Sequence, residues 1–248
     1  MSGNGSLEHI RTVVFDWDDT LRTSDPHASR FFCDYVEAAT GPLAAETRRA
    51  AQLWEHRYWA TSEELLGDFE QHIESSDAFW LNYSHRRLRA LGLSDQEAEP
   101  LAAAAHAHMR DNYKPVNRLH PDTLDTLEAL RSAGYALGVI TNRSRVIYAD
   151  MHELGLDLHF DFYLTGGQLG AYKPGKEIFE NVLNFIRQPA REVLYVGDNY
   201  FSDVLGARNA GLESVLLNWS GLYNGDLDCV VIRTLSELPE VLQLQSIS

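Results

Sequence analysis

Short apolar runs recur along this chain with helical stretches between most of them. The runs are Thr12-Val-Val-Phe15, Ala136–Ile140, Phe162–Thr165, Val193–Val196, Ser214–Leu217 and Cys229–Ile232. Runs of that length, rich in β-branched and aromatic residues, read as strands buried on both faces. The stretches between them read as helices. Leu124, Leu127 and Leu130 stand at helical spacing, with Pro121 placed for a first turn and Gly134 for the stop. Val146–Leu154 ends near Gly155, Lys176–Phe185 follows, and Val204–Ala210 precedes Gly211. Alternation of this kind predicts an α/β fold: a Rossmann-like parallel sheet core with helices on both faces.

The alternation is interrupted once, just after the first run. From about Arg22 to Arg118 the strand-like runs disappear and helix formers dominate, over Ala44–Trp59, Glu63–Glu74, Phe79–Leu91 and Glu97–Met109. Gly41-Pro42 and Gly92 punctuate them, and Ser94 with Glu97 forms a capping-box pattern. The expected organisation is a core made of residues 1–22 and 119–248, with an inserted all-helical cap domain over 23–118.

Open parallel sheets bind ligands at the carboxyl ends of their strands. Asp16 follows the first run, Thr141 and Asn142 close the second, Lys173 stands in the loop after the third, and Gly197-Asp198 follow the fourth. Two acids, a hydroxyl, an amide and a lysine therefore project toward one edge of the sheet. Asp16, Asp18 and Asp198 supply hard oxygen ligands, which suit Mg²⁺. Crowded carboxylates repel one another and a phosphate alike unless a metal ion and Lys173 offset the charge; with both, the edge suits phosphoryl transfer. A carboxylate can act as nucleophile and form an aspartyl-phosphate, and Asp16 is the best placed. Asp18, two residues on, would protonate the leaving oxygen and later deprotonate water. Thr141 and the backbone N–H of Asn142 would bind phosphate oxygens, with Lys173 offsetting their charge.

These residues resemble the haloacid dehalogenase-like (HAD) superfamily, in the branch with a helical cap inserted after the first strand. Its DxDxT motif matches Asp16-Trp-Asp18-Asp-Thr20, its Thr after an apolar strand matches Thr141, its Lys before Pro matches Lys173-Pro174, and its GDxxxxD matches Gly197-Asp198 through Asp203. The resemblance implies that Mg²⁺ is held by the Asp16 side chain, the Asp18 backbone carbonyl and Asp198. It implies a supporting role for Asp203, and Thr20 is expected to brace the loop by hydrogen bonding. An acid at Asp18 disfavours dehalogenation, because a halide leaves without a proton and an alkoxide does not. Asn199 and Ser202 depart from the Ser and Asn frequent in the fourth motif. The inserted cap is long for this branch.

The cap offers tempting specificity residues in Trp54, His56, Arg57, Tyr58, Trp59, Trp80, Tyr83, His85, Arg86 and Arg87. Aromatic stripes at helical spacing are usually core, and packing is the expectation for these and for His106 and His108. Trp17 is expected to pack or to shape the site entrance. Ser220–Asp226 reads as a surface loop, and Thr141 and Asn142 are also placed to cap the next helix.

The formal net charge of −15 disfavours nucleic-acid partners, and an anionic substrate then needs locally placed cations. No apolar stretch approaches a membrane span. Cys33 and Cys229 fit no disulfide framework or metal-ligand spacing and read as buried thiols. Met1–Ser6 lacks a leader pattern, so the expectation is cytoplasmic. Together these features point to a Mg²⁺-dependent phosphatase acting on a small phosphorylated metabolite. The alternatives are a sugar-phosphate mutase of the same superfamily, a phospho-acceptor regulatory domain and an inactive scaffold. Neither the metabolite nor the oligomeric state follows from these residues.

Overall fold

The structure is a computed structural model that describes residues 7–244. The reading of Met1–Ser6 lies outside them. The chain divides into two compact units. One runs through Thr23 and resumes at Arg118; the other is Ser24–Asn117.

The first unit is built on a six-stranded parallel sheet of β1 (Thr12–Phe15), β4 (Ala136–Thr141), β5 (Phe162–Thr165), β6 (Val193–Gly197), β7 (Glu213–Leu217) and β8 (Val230–Ile232). Its spatial order is β5-β4-β1-β6-β7-β8. The order grows outward in both directions from β1, so the crevice for a ligand opens at the carboxyl end of β1. Registers pair Phe15 with Val139 on one side and with Val196 on the other, which aligns the three strand ends.

Alternation along each strand divides the core. Val13, Phe15, Leu137, Val139, Leu194 and Val196 join one buried cluster with Leu127 and Leu130 of α6 (Thr123–Ser132) and Met151 of α7 (Tyr148–Glu153). Val14, Ile140, Val193 and Tyr195 join the other with Ile178, Phe179 and Val182 of α9 (Lys176–Ile186) and Ala207 of α10 (Leu205–Asn209). The four-residue α8 (Gly166–Leu169) follows β5, and α11 (Leu238–Val241) adds Leu238 to the first cluster. Each such Val, Leu, Ile, Phe or Met side chain contributes about 1.5–3 kcal/mol by leaving water, so both faces need their helices.

The second unit holds α1 (Ala28–Thr40), α2 (Ala45–Trp59), α3 (Glu63–Gln71), α4 (Ser76–Ala90) and α5 (Asp95–Asn112). Phe32, Cys33 and Val36 of α1 pack with Leu88 of α4 and with Ala98, Ala102 and Ala105 of α5. The alanines stand at i, i+4 and i+7, which puts three small side chains on one helix face for close packing. The capping box holds: Ser94 N donates to Glu97 Oε2 at 2.8 Å.

Several local expectations change. The insert contains α1, ahead of the first helix read there. It is flanked by two strands, β2 (Arg22–Asp25) and β3 (Val116–Leu119), which pair as a separate two-stranded sheet. Their sequences, RTSD and VNRL, have little apolar character, so a pattern of hydrophobicity does not reveal them. α6 starts at Thr123 with Asp122 as its cap, since Thr123 N already bonds to His120 O at 3.1 Å in a preceding turn. Thr141 and Asn142 cap no helix, because α7 begins only at Tyr148. The Ser220–Asp226 stretch is irregular, yet Leu222 and Tyr223 are buried in it. Asn218 pins it in two directions, donating to Tyr223 O at 2.7 Å and accepting from Tyr223 N at 3.2 Å. Cys33 is buried as expected, but Cys229, just before the edge strand, is only half-buried.

Candidate active site

The end of β1 delivers Asp16, whose backbone N–H donates to Val196 O at 2.9 Å and so extends the sheet by one residue. The chain then turns tightly. Leu21 N and Arg22 N both donate to Trp17 O at 3.2 Å, and Asp19 adopts a left-handed φ of 58°. Trp17 is fully buried in the core rather than lining an entrance. The turn sends Asp16 and Asp18 in different directions.

Asp16 faces Lys173. Lys173 Nζ donates to Asp16 Oδ1 at 2.6 Å, to Asp203 Oδ1 at 2.6 Å and to Tyr195 Oη at 2.9 Å. Tyr195 Oη in turn donates to Ile140 O at 3.1 Å, so each member of this buried group has a partner. Burial opposes the Lys173 charge, but Asp16 and Asp203 outweigh it and hold its pKa well above the usual value. Burial pushes the Asp16 carboxyl up to about 7; Lys173 pulls it down, while Asp203 and Asp18 push it up.

Lys173 owes its position to Asn142. Asn142 Oδ1 accepts from Lys173 N at 2.7 Å and Nδ2 donates to Lys173 O at 2.9 Å, a two-way clasp on the backbone of the lysine. Thr141 is buried, and its Oγ accepts from Arg143 N at 3.3 Å.

Asp203 reaches the group from a wide helical turn, Tyr200–Val204, which leads into α10. Asn199 starts that turn. Its Oδ1 accepts from Phe201 N at 3.0 Å and Ser202 N at 3.2 Å, and its own N–H donates to Asp203 Oδ2 at 2.9 Å. The asparagine at this position therefore has a cap's work to do. Gly197 must be a glycine: a Cβ there would lie 2.4 Å from Asp203 Cγ. Thr20 Oγ accepts from Asp198 N at 3.0 Å and lies 3.3 Å from Asp198 Oδ1, tying the first loop to the fourth.

Ligand oxygens of Asp16, Asp198 and Asp203 all lie within 4.8 Å of one another. Burial raises the Asp198 pKa well above the usual range, with Asp19, Asp203 and Asp16 adding to it. Three converging carboxylates with one ammonium group among them carry, when ionised, a surplus of negative charge in a low-dielectric pocket. A hard divalent cation fits that donor set, and its charge would offset the surplus.

The Asp18 carboxylate stands apart from this cluster. Its Oδ2 accepts from Arg143 Nε and its Oδ1 from Arg143 Nη2, both at 2.9 Å, and Arg22 Nε donates to Oδ1 at 2.9 Å. Arg22 and Arg143 did not emerge as site residues from sequence reasoning. Arg143 was within reach of the strand-end rule, since it follows Asn142 directly. Tyr195 carried no such signal, as a tyrosine within an apolar run reads as core.

In the helical unit, the tempting residues bond mainly to acidic side chains of the same unit. Tyr58 Oη donates to the buried Asp68 at 2.7 Å, Arg86 Nη2 donates to Asp68 at 2.8 Å, and Trp59 Nε1 donates to Tyr83 Oη at 2.8 Å. Arg87 is buried, donates to Glu55 at 2.9 Å and covers the Phe32 ring at 3.8 Å. His106 pairs with Asp77 at 2.8 Å, and the His108 ring stacks on Tyr35 and Phe31. No helix among the described residues is long and apolar enough to cross a membrane.

Residues 10–211 match the family described as haloacid dehalogenase-like hydrolase. The human haloacid dehalogenase-like hydrolase domain-containing protein 3 is 30% identical over 210 residues, covering 84% of this chain and 82% of that protein. The glyceraldehyde 3-phosphate phosphatase of Methanothermobacter thermautotrophicus is 36% identical over 157 residues, 59% of this chain and 69% of that protein. Among solved structures, a 2-haloacid dehalogenase from Pseudomonas syringae is similar with a TM-score of 0.53 and 30% identity, over 94% of this chain and 98% of that one.

Proposed function

Since the chain belongs to the haloacid dehalogenase-like hydrolase family, we propose that it hydrolyses phosphomonoesters of small metabolites, with Asp16 as nucleophile and Asp18 as acid and base. The observation that carries this reading is the buried group at the end of β1, where Lys173 holds Asp16 Oδ1 at 2.6 Å beside Asp203 and Asp198. Lys173 fixes the direction of the nucleophile and supplies positive charge against an approaching phosphate. Asp16, Asp198 and the Asp18 backbone carbonyl would hold Mg²⁺, with Asp203 supporting. The bound ion would offset charge on the phosphoryl oxygens and favour the ionised form of Asp16.

In the first step an Asp16 carboxylate oxygen bonds to phosphorus while the bond from phosphorus to the ester oxygen breaks. Asp18 gives its proton to that departing oxygen. In the second step water attacks phosphorus, Asp18 takes its proton, and the bond from phosphorus to Asp16 breaks, which restores both carboxyl groups and frees inorganic phosphate. The Thr141 hydroxyl and the Asn142 backbone N–H are the donors for the phosphoryl oxygens.

A solved relative is named a dehalogenase. Asp18 favours the phosphate ester, whose alkoxide needs a proton. The identity of the metabolite rests on groups outside this core chemistry.

The test is hydrolysis of para-nitrophenyl phosphate with and without Mg²⁺, beside Asp16→Asn. Turnover that requires Mg²⁺ and falls by at least about 10³-fold in the variant is the expected result. Equal rates in the two proteins would remove Asp16 from the mechanism.

A further inference from the structure

Two arginines from two different loops converge on Asp18. Arg143, in the loop after β4, grips it with two prongs, Nε on Oδ2 and Nη2 on Oδ1, each at 2.9 Å. Arg22 adds two more bonds to Oδ1, from Nε at 2.9 Å and from Nη2. Arg143 also donates through Nη1 to Asp150 Oδ2 of α7 at 2.5 Å, so a second element aims its guanidinium. The Arg22 and Arg143 side chains are 11% and 20% exposed, more buried than the 37% exposed carboxylate they hold. A rigid guanidinium fork, aimed by a partner and largely shielded from water, is a recognition element for a planar carboxylate.

We infer that the Arg22–Arg143 pair is a carboxylate subsite for the substrate, filled by Asp18 in the substrate-free protein, and that the substrate is a short phosphomonoester with a carboxylate one or two carbons from the ester oxygen. The inference rests on the phosphatase reading above, because there Asp18 is the group that meets the ester oxygen.

The geometry runs as one chain of short distances. To pass a proton, Asp18 must come within roughly 3 Å of the ester oxygen. The fork holds the same carboxylate at 2.9 Å. Both positions are served by one aspartate side chain from one Cα, so leaving-group atoms one or two bonds beyond the ester oxygen come toward the fork. Four guanidinium bonds must be given up before Asp18 can turn to the ester oxygen. A substrate carboxylate that takes over the fork replaces those bonds one for one and releases Asp18 toward the reaction. Charge stays balanced in the exchange, since one carboxylate leaves the arginines as another arrives. The chain as a whole carries a formal charge of −15, so an anionic leaving group needs local cations, and these two supply them. Recognition and release of the proton donor then become one event, and a substrate lacking the carboxylate forgoes both.

The probes are phosphoglycolate and ethyl phosphate, two-carbon esters that differ by a carboxylate in place of a methyl group. The readout is the ratio of their kcat/KM values in the wild type, Arg143→Gln and Asp150→Asn, with the affinity for each probe measured by calorimetry. The wild type is expected to favour phosphoglycolate by at least about tenfold, the scale of a charge-assisted fork. The ratio should fall toward one in Arg143→Gln and part of the way in Asp150→Asn. A wild type without preference overturns the subsite, as does an Arg143→Gln enzyme slowed equally on both probes, which would leave the arginine only holding Asp18. If Arg143→Gln does not fold, Asp150→Asn decides, and an unnarrowed ratio there overturns the proposal. If the wild type hydrolyses neither these probes nor para-nitrophenyl phosphate, the phosphatase reading fails by itself. Calorimetry then still settles the subsite, by a loss of at least about tenfold in phosphoglycolate affinity in the variant or by no loss.

Discussion

Gly197 shows how narrowly the site is built at the scale of single residues. Its Cα faces Asp203 so closely that one added carbon would sit 2.4 Å from the Asp203 Cγ, and the displaced carboxylate is a partner of Lys173 Nζ. Gly197→Ala is expected to cost about 1–3 kcal/mol through overpacking and to slow turnover by more than tenfold, since Asp203 must shift off the lysine. A melting curve and a progress curve with para-nitrophenyl phosphate check it; a wild-type melting temperature with wild-type rate would refute the close approach. The DxDxT and GDxxxxD patterns were legible in the sequence because each sits where an apolar run stops. The partners of Asp18 were not legible. Arg143 lies 125 residues from Asp18 and Asp150 seven further on, and no pattern of spacing reports which way a long side chain turns once the strands align.

At the scale of elements, the helical unit illustrates how a stripe of polar aromatics becomes core. Tyr58 on α2, Asp68 on α3 and Arg86 on α4 meet at one buried carboxylate, so three helices share a single polar junction. Burial works against the Asp68 charge, but the bonds from Arg86 and Tyr58 prevail and hold its pKa below the usual value. Asp68→Ala strands the tyrosine hydroxyl and the guanidinium together. Destabilisation of about 3 kcal/mol is expected in urea titration, and a change under about 0.5 kcal/mol would show that the junction is dispensable. Most helices and strands of the protein were readable from periodicity and breakers. The β2–β3 pair was not, since strands of four residues, one wholly polar and one half polar, form only when a distant partner closes on them.

For the whole molecule, the carboxylate cluster couples metal, pH and stability. Asp16 has its pKa raised to about 7 by burial, and Asp198 is raised as well, so the fold without a cation favours their protonated forms. A group whose folded pKa lies above its unfolded value adds stability that is present at low pH and is lost as pH rises through the folded pKa. For Asp16 that window runs from its ordinary value of 3.8 up to about 7. Lys173 is also raised, but from 10.5, so it stays charged throughout and does not alter the sign. A divalent cation reverses the loss by binding the ionised carboxylates. The gain in melting temperature on adding millimolar Mg²⁺ should therefore be larger at about pH 8 than at about pH 5.5. Taking the gain at each pH cancels carboxylates elsewhere that titrate in the opposite sense. An equal or larger gain at the lower pH would contradict the assignment.

The sequence by itself determined the class of fold, the place of the helical insert and the acids, hydroxyl, amide and lysine at the strand ends. Those features are local: burial on both faces demands apolar runs, breakers end helices, and a parallel sheet presents whatever follows its strands at one edge. Only the tertiary structure decided what those groups do to one another. It set Lys173 between Asp16 and Asp203, placed Tyr195 behind it, clasped its backbone with Asn142 and closed two arginines on Asp18. Such pairings join residues up to 157 positions apart, and at contact distance their energies depend on ångströms and on exclusion of water, neither of which is written in the order of the residues.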